Sequence, residues 1–279
     1  MAGYAEQLLV CTGQDDWVSR VEEENGGENL VADVKELIGR GGPYADPWHN
    51  VPLTNASFPP TVPTGQVARG LRDTQTTSAY VLPSFKYVPV ISRDAVEALV
   101  KGFLLPERLN HAHKGLSQLH KDQLTRHEGF QGEFPGVRDV EDVLVLICGH
   151  GGRDVRCGVL GPLLQEEFEK NIPAAAGLEL LQGAVSLEAG EKSKDLGVRV
   201  GLCSHIGGHK FAGNVIIYVP PRAKLPSGEQ HPLRGMGIWY GRVEPKHVEG
   251  IVRETLVGGK VIQEFFRGGV QKDKGILRL

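Results

Sequence analysis

Four residues in the second half of the chain are of types that hold metals, and they fall in two pairs. Cys148 and Cys157 flank Gly149-His150-Gly151-Gly152-Arg153-Asp154-Val155-Arg156. His205 and His209 bracket Ile206-Gly207-Gly208. Each pair follows an apolar run that reads as a buried strand, Asp142 to Cys148 and Val198 to Cys203. If neighbouring strands carry the two loops, all four side chains converge at one edge of a sheet. The glycines let the backbone turn tightly and approach a bulky inorganic core. Thiolates suit iron–sulfur clusters and zinc, and imidazole suits several metals. Taken singly, a Cys at a strand end is an ordinary small apolar residue, and a His among glycines is an ordinary turn residue. The coincidence carries the weight: two of four cysteines share one Gly-rich loop, and a histidine pair shares another.

The flanking residues are charged. Arg153, Arg156 and Lys210 either stabilise a reduced centre or dock an acidic partner protein; alternatively, Arg153 and Asp154 form an ion pair that braces the loop. His150 reads as a supporting or surface residue rather than a ligand. Cys203 reads as a buried thiol, with a redox-active thiol as the alternative. Cys11 reads as core, and Trp239 and Tyr240 as packing.

Zinc is the nearest rival, because Cys₂His₂ is a common zinc set, although the long cysteine spacing differs from a short zinc knuckle. A Rieske-like pairing of Cys148-x-His150 with Cys203-x-His205 would leave Cys157 and His209 idle. No Cys-x-x-Cys is present, which disfavours a dithiol oxidoreductase. A non-catalytic adaptor is the alternative from a different class.

These loops need a scaffold. The chain has 279 residues, 40% hydrophobic and 23% charged, with a formal charge of -3. That is the profile of a globular protein with a core of its own, of one large or two ordinary domains. No basic stripe points to nucleic acid. No apolar run approaches the roughly 20 residues that span a bilayer. Four cysteines in this length are not a disulfide framework. The N-terminal stretch has neither an apolar signal core nor the acid-poor composition of a transit peptide. The expectation is a cytosolic chain or one lacking its presequence.

The pattern divides into two halves, 1–135 and 136–279. In the first, Leu8 to Thr12 reads as a strand, Asp15–Asp16 as the cap of a helix from Trp17 to about Glu24, and Val31 to Ile38 as a second helix. Val51 to Phe58 and Ala79 to Ile91 read as extended, separated by a loop from Pro59 to about Thr77. A helix follows from Arg93 to about Leu105, then a partly helical linker over 106–135. In the second half, the strand ending at Cys148 precedes a helix opened by Pro162 at its first turn and running to Asn171. A polar loop over 184–197 leads to strands Val198 to Cys203, Asn214 to Tyr218 and Gly237 to Val243. A helix from Pro245 to about Thr255 closes the order β-α-β-β-β-α. This predicts an α/β fold of two thioredoxin-like domains, the first without a ligand set.

Three segments carry a resemblance: 148 to 158 (CGHGGRDVRCG), 204 to 214 (SHIGGHKFAGN) and 239 to 243 (WYGRV). They resemble the sucrase/ferredoxin-like family, and more narrowly its fungal "altered inheritance of mitochondria" branch. Thr12 to Trp17 (TGQDDW) and Thr54 to Pro59 (TNASFP) extend the likeness into the first half. The resemblance implies a thioredoxin-like ferredoxin domain whose [2Fe–2S] cluster is held by Cys148, Cys157, His205 and His209. It implies a mitochondrial electron carrier, in matrix or intermembrane space, that exchanges electrons with a protein donor or acceptor. Sugar hydrolysis would need two placed carboxylates, and no such pair stands out, so "sucrase" describes no activity here. With two thiolates the oxidised site carries a charge of about 0, against about −2 with four. Its potential should therefore lie above the roughly −400 mV of plant-type ferredoxins. A free imidazole nitrogen on each ligand would couple electron transfer to a proton.

Overall fold

The computed structural model describes residues 3–63, 76–187, 193–272 and 274–278. In the first half, strand β1 (Gln7–Cys11) leads to helix α1 (Leu30–Ile38) and strand β2 (Leu53–Ala56). Strands β3 (Thr76–Leu82) and β4 (Lys86–Ser92) form a hairpin. Helix α2 (Val96–Leu99) runs on into a π-helical turn, Val100–Leu104. The stretch over 106–135 contains helix α3 (Gln118–Leu124), and the short strand β5 (Arg138–Asp139) pairs with β4.

The second half contains β6 (Val143–Cys148), α4 (Val155–Ala174), β7 (Leu178–Leu180), β8 (Leu196–Cys203), β9 (Val215–Val219) and β10 (Met236–Tyr240). Helix α5 (Val248–Ile251) continues as a π-helical turn (Val252–Val257) before β11 (Phe266–Gln271) and β12 (Gly275–Leu277). All strands join one mixed sheet in the order β12-β11-β10-β9-β6-β8-β2-β1-β3-β4-β5, with β7 beside β8. β6 and β9 are buried at every position, which is why they read as unbroken apolar runs rather than alternating ones.

The two halves repeat one arrangement. In the first, β2 is parallel to β1, and β3 is antiparallel to β1 on its other side. In the second, β8 and β9 stand in the same relation to β6. The halves meet where Ala56 of β2 lies opposite Cys203 of β8. The seam is reciprocal: Ser57 N–H donates to Leu202 O while Leu202 N–H donates to Ser57 Oγ, each at 2.9 Å. Ser204 N–H donates to Asn55 O at 2.8 Å, and Asn55 N–H donates to Ser204 Oγ at 2.9 Å. An approximate twofold axis therefore passes between Ala56 and Cys203. It relates Cys11 to Cys148, since these are the register partners of Ala56 and Cys203.

One core lies under the helices of the second half and includes Val145, Ile147, Leu164 and Phe168. Another lies under those of the first half and includes Leu8, Val10, Val34 and Leu99. The third spans both halves on the opposite face and contains all four cysteines. There Tyr218 donates to Gln7 Oε1 at 2.6 Å, and Trp239 Nε1 donates to Tyr4 Oη at 3.0 Å.

Three expectations are corrected. The helix from Trp17 to Glu24 does not form; a 3₁₀ stretch over Val21–Gly27 stands there, broken by positive φ at Asn25 and Gly26. Trp17 is drawn into the core of the second half, so its backbone cannot continue as a surface helix. The helix expected to open at Pro162 begins seven residues earlier, capped by Asp154, and carries Pro162 inside it. Cys157 thus sits on its first turn rather than on a loop. The sequence reading also missed the final hairpin of β11 and β12. Of the two expected loops, residues 64–75 and 188–192 lie outside the described residues.

Candidate metal centre

Cys148 is the last residue of β6 and is 1% exposed; Cys157 on α4 is fully buried. They are brought together by glycines facing one another between helix and loop. A Cβ on Gly161 would lie 2.6 Å from Gly149 Cα, and one on Gly158 would lie 2.6 Å from Gly151 Cα. Only glycine at these places lets the helix seat on the loop. All four cysteines are free thiols.

The Cys148 thiol is lowered, first because Cys157 donates a hydrogen bond to it, and then through His205 and the Ile206 N–H, against the effect of burial. The Cys157 thiol is raised by the same hydrogen bond and by burial. The pair therefore holds one thiolate readily, which is the form that ligates metals.

His205 is half-buried beside Cys148, and its Nδ1 is buried without a hydrogen-bond partner. A buried, unpaired ring nitrogen costs about 1–3 kcal/mol. The His209 ring lies 6.1 Å from that of His205, is 54% exposed, and faces Asp154 Oδ2 at 3.7 Å. The turn between them needs positive φ at Gly207 (71°) and Gly208 (81°). A Cβ on Gly207 would also stand 2.3 Å from Asn214 Oδ1. Among the described residues, no group of three or more His, Cys, Asp or Glu side chains is gathered tightly enough for a single metal ion.

Residues outside the four candidate ligands hold this arrangement, and of them Arg267 was not singled out by the sequence. Arg267, on β11, donates from Nη1 to Gly207 O at 2.7 Å and to Asn214 Oδ1 at 2.6 Å, and its guanidinium lies 3.7 Å from the Phe211 ring centroid. Asp16 accepts from Gly152 N–H at 3.0 Å. His150, 1% exposed, bonds through Nε2 to Val18 O at 2.9 Å and Trp17 O at 3.2 Å, and its Nδ1 accepts from His205 N–H at 3.0 Å. Both its nitrogens are engaged with backbone, so it supports the centre from inside the core. This agrees with its reading as a supporting residue and not with the surface alternative.

The charged neighbours divide differently from the expected Arg153–Asp154 pair. Asp154 caps α4 and is bound by Arg156, with Nε and Nη2 each at 2.9 Å. Arg153 instead reaches Ser19 O at 2.9 Å. Arg156 is chelated to Asp154 because the two lie on one side of the first helical turn, whereas Arg153 precedes the cap and points toward the first half. Lys210 lies 5.0 Å from the Phe211 ring centroid. Cys203 is fully buried, and burial raises its thiol.

Comparison with known proteins gives this architecture its class. The sucrase/ferredoxin-like family matches residues 1–268, and the chain belongs to that family. Similar curated proteins are each described as altered inheritance of mitochondria protein 32. The one from Debaryomyces hansenii is 30% identical over 258 residues, covering 92% of this chain and 77% of the relative. The one from Meyerozyma guilliermondii is 33% identical over 192 residues, 68% of this chain and 56% of the relative. The one from Clavispora lusitaniae is 47% identical over 125 residues, 45% of this chain and 34% of the relative. No solved structure matches. Among the described residues, no helix is long and apolar enough to cross a membrane.

Proposed function

We propose that this protein is an electron carrier whose [2Fe–2S] cluster is held by Cys148, Cys157, His205 and His209, in a second half built as a thioredoxin-like ferredoxin. The observation that carries the reading is the unpaired, buried Nδ1 of His205 beside two mutually hydrogen-bonded thiols. The donor chemistry fits: soft sulfur supplied as a ready thiolate, with imidazole on the facing loop. When bound, the cluster supplies a one-electron couple. The repeated strand order supports a thioredoxin-like plan for both halves.

The chain's own residues supply the rest. His150 and Arg267 fix the histidine loop, and the glycine contacts of α4 fix Cys157. The greater exposure of His209 supports proton exchange with water at the ring nitrogen it would leave free. Arg153, Arg156 and Lys210 rim the same edge, where an acidic protein partner would dock. The names of the relatives point to a role connected with mitochondria.

The test is anaerobic purification followed by the visible spectrum and iron and sulfide analysis. About two of each per chain are expected, falling sharply in Cys148→Ser and Cys157→Ser. His209→Cys should keep a cluster at a lower potential, with a weaker pH dependence. Stoichiometric zinc without visible absorption, or full iron and sulfide in Cys157→Ser, would overturn the assignment.

A further inference from the structure

A cavity of about 280 Å³ opens in the first half, at the carboxyl ends of β1 and β2 and against the first turn of α1. The carboxyl ends of parallel strands are where open α/β sheets take ligands. By the twofold axis between Ala56 and Cys203, this is the place that corresponds to the cysteine loop of the second half. The two places are filled differently. In the second half Leu202 closes over Gly149, where a Cβ would come within 2.9 Å of it. Its counterpart in the first half is Asn55, one residue before Ala56 just as Leu202 is one residue before Cys203.

Asn55 lines the cavity, is 4% exposed, and its Oδ1 has no hydrogen-bond partner. Buried amides are nearly always satisfied, so an orphaned one beside a cavity points to a partner that enters from outside. The remaining polar lining sets the sign of that partner. Glu24, Glu28 and Asp33 stand there against a single guanidinium, Arg93. Arg93 is already bound to Asp33 through Nε at 3.1 Å and Nη2 at 3.2 Å. The attraction of a helix N-terminus for anions is thereby offset, and the charged lining is net acidic, with Glu24 Oε2 already accepting from Val18 N–H at 3.1 Å.

We propose that this cavity binds a small organic cation carrying several N–H donors, an amine or a guanidinium, with Asn55 Oδ1 accepting at its inner end and Glu24 and Glu28 balancing its charge. The site is independent of any cluster in the second half. It still adjoins that half, because the Asn55 backbone exchanges hydrogen bonds with Ser204, the residue before His205.

The experiment is calorimetric titration of the whole chain with agmatine, which carries both an amine and a guanidinium, and separately with inorganic phosphate. Saturable binding of one agmatine and none of phosphate is expected. Asn55→Leu, which installs the residue of the twofold-related position, should weaken agmatine binding about tenfold or more. Glu28→Gln, at an exposed position, should weaken it about twofold to threefold, with the difference shrinking in high salt. If Asn55→Leu loses its native circular dichroism, Glu28→Gln decides. Absence of saturable agmatine binding, unchanged affinity in the variants that fold, or preferential binding of phosphate would each overturn the proposal.

Discussion

The backbone N–H of His205 donates to Nδ1 of His150 at 3.0 Å, while Nε2 of the same ring bonds to Val18 O at 2.9 Å. One imidazole thus ties three segments together: the first-half loop after β1, the cysteine loop and the histidine loop. The first half in this sense helps hold the candidate centre, although the four proposed ligands all lie in the second.

Replacing His150 by Leu should remove both ends of that clamp while keeping the volume. The His205 N–H and the buried Trp17 carbonyl would lose their partner, at about 1–3 kcal/mol each. The expected result is a loss of about 2–6 kcal/mol in urea unfolding, with an altered visible spectrum at similar iron content. A clean loss of iron with unchanged stability would mean that His150 is itself a ligand.

The seating of α4 gives a sharper steric test. Gly161→Ala places a methyl 2.6 Å from Gly149 Cα and 2.9 Å from Cys148 O, both backbone atoms that cannot swing aside. Overpacking of this kind costs about 1–3 kcal/mol, and it should also part Cys157 from Cys148. Gly250→Ala, within α5 and with nothing within 4 Å of the added Cβ, is the control. It should be neutral or stabilising by up to about 1 kcal/mol. Equal effects in the two variants, read from unfolding midpoints, would rule out the glycine contact as the cause.

Cys203 lies between Cys148 and Ala56 in one row of the sheet, yet it is fully buried with a raised thiol. We expect it to resist alkylation until the chain unfolds. Cys203→Ala should cost about 1–2 kcal/mol by loss of packing, without loss of iron. Rapid labelling of native Cys203, read by peptide mass, would revive a redox role for it.

Local signals made part of this legible. The strand ending at Cys148, the helix ending at Ile38 and the two Gly–Gly turns beside histidines were readable because runs of Val, Ile and Leu and paired glycines have few alternative uses. The start of α4 was not, because Pro162 competed with Asp154 as a helix opener, and the winning cap is a single local bond, Arg156 N–H to Asp154 Oδ1 at 3.0 Å. Arg267 was invisible for a different reason. It reaches the histidine loop from β11, some sixty residues on, and no spacing rule links the two. The seam serines Ser57 and Ser204 were hidden because the halves share geometry rather than sequence.

Asp154 provides the pH test. Its carboxyl is lowered from its ordinary value of 3.8 to about 2, chiefly by the hydrogen bonds of Arg156. A carboxyl lowered in the folded state binds its proton more readily when unfolded, so its contribution to stability is present above about pH 4 and fades as pH falls toward 2. Asn is as good an N-cap as Asp, so Asp154→Asn should keep the start of α4 and lose only the charge interactions, chiefly with Arg156 and secondarily with His209. In urea titrations of metal-free protein, wild type should therefore exceed Asp154→Asn in midpoint at pH 6. The gap should narrow through pH 4 to 3 and close near pH 2. The pair is solvent-exposed, so the gap should also shrink in high salt. A gap that stays constant with pH would assign the contribution of Asp154 to the cap alone.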